Sequence, residues 1–177
     1  MQKKIVFLTS LLLAFTTLAA GQDKGKRPSP AAQAPCKFSD GKTITVNYSS
    51  PRAKGRKVFG ELVPYGEVWR TGANEATTFV TDANLTVGGK DVPAGNYTIF
   101  TVPNPDKWML IINKKTGEWG IPYKYEADEL GRVDMTVSQT MSGVEDFTIA
   151  LDSNDRGCAL SMSWEMTKAS VQIAESK

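Results

Sequence analysis

The side chains best suited to chemistry stand close together in one stretch of the chain. Arg52, Lys54, Arg56 and Lys57 are followed by Tyr65, Trp69, Arg70, Asn74 and Glu75. Guanidinium groups offer paired donors that fit carboxylate, phosphate or sulfate, while tryptophan and tyrosine faces suit sugar rings or cations. The combination points to recognition of a small anionic or glycan-type ligand. A purely structural use of the same residues is an Arg70–Glu75 ion pair that fixes the segment, with Trp69 plugging one end of the fold and the lysines solvated. Trp119 sits in the glycine-bracketed turn Lys114-Lys115-Thr116-Gly117-Glu118-Trp119-Gly120 and can line a cleft with Trp69. Trp108 and Trp164 lie in alternating runs and belong to the core.

Other chemistries are narrowed by what is missing. The chain has no histidine, which removes serine–histidine and cysteine–histidine catalysis, imidazole general bases and imidazole metal sites. No nucleophile elbow, phosphate loop or dinucleotide-binding glycine fingerprint occurs, so no cofactor is expected. Two cysteines without histidine make a poor metal site. What remains is carboxylate chemistry. Glu118, Glu126, Asp128, Glu129 and Asp134 could supply an acid/base pair roughly 5–10 Å apart, as a hydrolase needs. Their spacing matches no calcium loop, and most acidic residues are simply solvated.

The elements that must position these residues read as strands. Residues 43–48 alternate, with Ile44, Val46 and Tyr48 on one face, and 77–81 follows after a long gap. Residues 85–87 and 90–92 flank Gly88-Gly89, a hairpin signal. Aromatic and branched runs at 97–102 and 108–112 are separated by Pro103-Asn104-Pro105-Asp106, and strands are expected again at 132–137, 147–151, 158–166 and 170–173. In 158–166 the residues Cys158, Leu160, Met162, Trp164 and Met166 share one face. No window sustains helical periodicity. About nine short strands with Gly, Pro and Asn turns predict an all-β domain, a single antiparallel β-sandwich of jelly-roll or Greek-key kind. The segment 49–76 breaks the rhythm, because it is too long for a simple connection. Val58, Phe59, Leu62, Val63, Tyr65, Val68 and Trp69 give it enough apolar surface to be pinned down.

The chain begins with the pattern of a secretory signal. Lys3 and Lys4 precede an apolar run over 5–15, and Ala19, Ala20 and Gly21 offer a cleavage point, giving a signal peptide over 1–21. The apolar run is shorter than the ~20 residues that cross a bilayer, so no membrane anchor is expected. Gln22 rather than cysteine follows the small residues, so a lipoprotein is not expected. Residues 22–35, rich in Pro, Ala and Lys, read as a linker, and 36–174 as the β-sandwich domain. Removing the signal takes two lysines and no acid, leaving 19 basic against 19 acidic residues. A neutral chain gives no case for nucleic acid. In an oxidising compartment Cys36 and Cys158 are expected to pair, closing a loop of over 100 residues for a contribution of roughly 5 kcal/mol. Asn47, Asn84 and Asn96 open glycosylation sequons that matter only in a eukaryotic secretory pathway.

The stretch Ser50-Pro51-Arg52-Ala53-Lys54-Gly55-Arg56-Lys57-Val58-Phe59-Gly60 continues through Leu62-Val63-Pro64-Tyr65-Gly66-Glu67-Val68-Trp69-Arg70-Thr71-Gly72-Ala73-Asn74-Glu75-Ala76. With Pro93-Ala94-Gly95-Asn96-Tyr97-Thr98, the turn at 113–120 and Leu130-Gly131-Arg132-Val133, it resembles a bacterial family filed as domain of unknown function 2911. The resemblance spans nearly all of 40–174. It implies an exported bacterial protein, periplasmic or secreted, with an all-β domain and no assigned activity or catalytic residue. The expectation is therefore a non-catalytic exported binding module for a small anionic or glycan-type ligand or an envelope partner. Arg52, Arg56, Tyr65, Trp69, Arg70, Asn74, Glu75 and Trp119 are its candidate contacts. The alternatives are a structural or assembly protein of the envelope with no ligand, and a carboxylate-dependent hydrolase.

Overall fold

The computed structural model describes residues 27–176; the signal peptide read over 1–21 lies outside them. Nine strands follow one another: β1 (Ala31–Lys37), β2 (Thr43–Ser49), β3 (Thr78–Thr81), β4 (Leu85–Val87), β5 (Lys90–Val92), β6 (Gly95–Val102), β7 (Lys107–Asn113), β8 (Glu129–Asn154) and β9 (Gly157–Glu175). A single turn of 3-10 helix, Glu126–Asp128, precedes β8. All pairings are antiparallel, in the order β1-β2-β3-β6-β7-β8-β9-β4-β5.

Connection lengths dictate the shape of this sheet. β3 and β4 stand five places apart in strand order, which in a flat sheet is about 24 Å. Only residues 82–84 join them, a reach of about 14 Å at most. Likewise only Pro93 and Ala94 join β5 to β6, again five places away. The sheet must therefore curl until its β4–β5 edge lies beside β3 and β6. It is one continuous bent sheet whose two sides face each other across the core.

Two strands are longer than the sequence pattern suggests. The runs at 132–137 and 147–151 are parts of one strand, β8, and those at 158–166 and 170–173 are parts of β9. The β8–β9 ladder shifts register between Gln139 and Val144 and again between Val144 and Thr148, and Glu165 has φ 50°. Such irregularities bend a strand without ending it. Beyond the bend, the β8–β9 hairpin folds over the first strands: Tyr48 Oη accepts from Ile149 N at 3.1 Å and Ser50 Oγ donates to Phe147 O at 2.7 Å. The Cys36–Cys158 disulfide ties β1 to β9 at the same place.

β1 begins inside the stretch read as linker. Its proline is tolerated because β1 pairs on one side only, with β2, and Pro35 is exposed at that edge. The Gly88-Gly89 hairpin forms as expected, with φ values of 55° and 87° that suit glycine.

β6 and β7 determine where a site can form. Consecutive residues in their middles are buried, Tyr97 to Thr101 in β6 and Leu110 to Asn113 in β7, so both of their faces are covered there. Ile99, Trp108, Leu110 and Ile112 face the main core. Phe100 and Ile111 face the other way and join Ala76 in a second small cluster, covered by Val68, Val102, Tyr123 and Tyr125. The cover is supplied by the long segment before β3 and by the turn after β7.

Candidate functional site

The long segment divides into three parts with different duties. The first is stapled to the far side of the bent hairpin. Arg52 Nε pairs with Asp146 Oδ1 at 3.0 Å, Ala53 N donates to Glu145 O, and Lys54 N donates to Glu145 Oε1 at 2.8 Å. Arg56 turns back on its own chain, donating to Ala53 O at 2.9 Å and to Arg52 O at 2.7 Å. Both arginines predicted to grip an anion thus have partners within the protein.

The second part is an aromatic plug. Phe59 and Trp69 enter a cluster with Trp108, Phe147 and Trp164, whose centroids lie 4.8–6.3 Å apart. Trp69 stacks on Trp164 at 20° and meets Phe147 and Trp108 edge-on. Its backbone bridges Thr101 of β6, and its indole N–H donates to Gly72 O at 3.1 Å. Apolar area and favourable ring geometry both hold the segment down.

The third part meets the turn after β7. Arg70 Nη1 donates to the carbonyls of Asn74 and Trp119, and its guanidinium carbon lies 5.1 Å from the centre of the Trp119 ring. Burial lowers the Arg70 pKa. Glu75 does not pair with Arg70; it binds Arg27 at 2.8 Å. In place of the Arg70–Glu75 pair of the purely structural reading, the carbonyl of Asn74, a left-handed residue (φ 57°), meets the guanidinium. Asn74 Nδ2 in turn donates to Ser29 O at 3.1 Å.

Beside this contact lies a groove of about 550 Å³. The long segment contributes Leu62, Pro64, Val68 and Trp69 to its lining, and the turn contributes Ile121, Pro122 and Tyr123. Exposed Glu67 and Glu126 add two carboxylates. Leu62 and Ile121 are each 43% exposed, and Trp119, two residues before Ile121, is 57% exposed. Exposed apolar side chains gathered in one place mark binding surfaces more often than scattered ones do.

The groove wall is stiff. Tyr123 packs on Phe100 at 4.8 Å and on Tyr125 at 5.5 Å, and its hydroxyl donates to Glu129 Oε1 at 2.6 Å. Arg132 holds the same carboxylate with two bonds of 2.8 Å. Burial, then the Glu129 bond, pushes the Tyr123 pKa well up, while Arg132 holds Glu129 below its ordinary value. Buried Asn113 fixes the turn by donating to Tyr125 O at 2.7 Å.

Of the predicted contacts, Arg70 and Trp119 come together and Trp69 lines the groove. Tyr65 is exposed and packs against the Gly60 position, whose added Cβ would lie 2.9 Å from the ring. Arg52 and Arg56 stand away from the groove. Leu62, Ile121 and Tyr123 went unrecognised in the sequence, although Ile121-Pro122 and Tyr123 together make an apolar turn.

The other carboxylates are spread over separate ion pairs: Glu118 with Lys115 at 3.8 Å, Glu129 with Arg132 at 2.8 Å, and Asp134 with Lys107 at 3.2 Å. Among the described residues no group of three or more His, Cys, Asp or Glu could hold a metal ion.

Residues 29–173 match the model of a family described as "Protein of unknown function (DUF2911)". No curated protein and no solved structure matches the chain.

Proposed function

Because the chain belongs to this family of proteins of unknown function, whose description assigns no activity, we propose from the site itself that it is a non-catalytic binding module. Its ligand is of glycan type and lies in the groove between the long segment and the turn after β7. One observation carries the reading: two segments far apart in sequence bring exposed Leu62 and Ile121 together with the Trp69 and Tyr123 rings around a single groove. Sugar rings have apolar C–H faces that pack on aromatic and aliphatic side chains, and their hydroxyls suit acceptors such as Glu67 and Glu126. The commitment of Arg52 and Arg56 to Asp146 and to backbone carbonyls favours a glycan over a small free anion.

The same reading places the protein outside the cytoplasm, periplasmic or secreted. The Cys36–Cys158 disulfide supports this, since such bonds persist in oxidising compartments. No helix among the described residues is long and apolar enough to cross a membrane. Fractionation of cells, with mass determination of the product, tests the location; a mature chain starting at Gln22 is expected.

A second reading has its own observation. The aromatic plug at Trp69 and the staples at Arg52 and Arg56 are what a segment that only closes the fold requires, as in an envelope assembly protein without a ligand. A hydrolase would draw on Glu67 and Glu126, which share the groove, but both are exposed, whereas glycosidase acids hold their proton in a buried site.

Titration calorimetry with neutral oligosaccharides separates these readings. Saturable binding lost in Leu62→Arg and Ile121→Arg, both exposed positions, supports the glycan module. Absence of binding to every oligosaccharide tried favours the ligand-free reading.

A further inference from the structure

Among the described residues, half-buried Arg70 has no carboxylate partner. All its hydrogen bonds run through Nη1 to two backbone carbonyls. Carbonyls orient a guanidinium but do not neutralise it. The remaining edge, formed by Nε and Nη2, carries two parallel donors, the geometry that meets a carboxylate or sulfate in a bidentate pair. The guanidinium carbon lies over the Trp119 ring, 5.1 Å from its centroid, and Trp119 is still 57% exposed.

We propose that Arg70 and Trp119 form a subsite for an acidic sugar unit, whose anionic group takes the Nε–Nη2 edge while the apolar face of its ring lies on Trp119. This rests on the glycan reading of the groove and extends it, since Arg70 and Trp119 adjoin groove-lining residues in both of the segments that form it. Arg70 follows Val68 and Trp69 in one wall, and Trp119 precedes Ile121 and Pro122 in the other. The two walls lie against each other. Gly120 has φ +97°, and a Cβ there would lie 2.9 Å from Ala76 Cβ and 3.1 Å from Arg70 Cβ, so only glycine lets the turn lie this close to Arg70.

The partner segment is held with equal firmness. Thr71 has φ 59°, uncommon for a β-branched residue, and is kept there by hydrogen bonds at both ends: its hydroxyl to Thr101 Oγ1 at 3.1 Å, and its carbonyl from Thr77 Oγ1 at 2.7 Å. This turn presents the Asn74 carbonyl to Arg70. A guanidinium fixed before its ligand arrives loses little freedom on binding.

Calorimetry on the disulfide-bonded mature chain tests the proposal with three probes: trigalacturonic acid, its neutral counterpart galactotriose, and citrate. Trigalacturonate is expected to bind about tenfold more tightly than galactotriose, a difference that shrinks as salt rises. Arg70→Lys keeps the charge but loses the fork, and is expected to erase the preference; Trp119→Ala, at an exposed position, is expected to weaken both sugars. Equal affinity for the two sugars overturns the subsite and leaves the groove reading standing, as does a preference that survives both variants. Citrate binding as tight as trigalacturonate reduces the site to a simple anion site and overturns the sugar assignment. Binding of none of the three overturns the subsite and the groove reading together.

Discussion

The Arg70 guanidinium holds Trp119 twice, through the backbone carbonyl at 3.2 Å and through the ring face at 5.1 Å. A cation–π contact at a partly exposed site contributes on the order of 0.5–1 kcal/mol, and a charge-assisted hydrogen bond about 1.5–3 kcal/mol. Arg70→Met preserves much of the side-chain volume while removing both. The expected result is a modest loss of stability and a looser turn, measured as faster hydrogen exchange at the Gly120 and Ile121 amides with the β6–β7 amides unchanged.

Trp69 is the side chain on which the long segment depends. It touches Phe59, Trp108, Phe147 and Trp164 at once, so no neighbour can fill the space it leaves. Trp69→Ala is expected to cost about 3–5 kcal/mol, read from denaturant midpoints, whereas Trp119→Ala at its exposed position costs under about 1 kcal/mol. Similar losses from the two variants would mean that the segment is not pinned at Trp69.

Arg52 and Arg56 were natural choices for gripping an anion, and the structure gives both partners within the protein, at exposed positions. Arg52 and Asp146 are each about half exposed, so their pair contributes at most about 1 kcal/mol. Arg52→Gln and Arg56→Gln are expected to leave ligand affinity unchanged while shifting the thermal midpoint by no more than a few degrees. A tenfold loss of affinity in either variant would return the anion site to the first part of the segment.

Strands with alternating faces were legible because burial on one side imposes a two-residue period; β2 and the Gly88-Gly89 hairpin are examples. The pairing of Cys36 with Cys158 was legible from compartment chemistry, and the plug at Trp69 was foreseen only as the structural alternative to a ligand contact. The continuity of β8 and β9 was hidden, because bulges at 139–148 interrupt the alternation without ending the strand. β1 was hidden by Pro35, which only an edge strand accepts. The groove was illegible for a different reason: it joins residues 62–69 to 121–126, and no local pattern reports a contact across that distance. A usable signal did exist in β6 and β7, whose apolar runs leave no polar face and so require a second cover. The turn holding Ile121, Pro122 and Tyr123 is the nearest apolar segment able to supply it.

The disulfide closes a loop with a sequence separation of 122 residues and joins the edge strand β1 to the folded-over hairpin. In the chain-entropy model such a loop contributes roughly 5 kcal/mol, and removing a native bridge commonly costs about 2–5 kcal/mol. Cys36→Ala with Cys158→Ala is expected to lower the unfolding free energy by an amount in that range. Protection of the β1 amides should fall first, because β1 has a ladder partner on one side only. Unchanged β1 protection in the double variant would show that Tyr48 and Ser50 alone hold the hairpin in place.

Glu129 supplies the pH dependence of the groove wall. Its carboxylate accepts two bonds from Arg132 and one from Tyr123, and the Arg132 bonds are the main reason its pKa lies below the ordinary 4.5. A carboxylate whose folded pKa is depressed stabilises the fold fully above the unfolded value, and that contribution disappears as pH falls through the folded one. Stability is therefore expected to be insensitive to this group at neutral pH, to begin falling below about 4.5, and to have lost the whole contribution once Glu129 is protonated in the fold. The Tyr123 hydroxyl loses its charged acceptor in the same step, so the groove wall should loosen with it. Glu129→Gln should be less stable than the parent at pH 7 and should flatten the acid limb of the curve. Denaturant midpoints taken from pH 3 to pH 7 measure both effects, and parallel curves for the two proteins would show that Glu129 does not set the acid response.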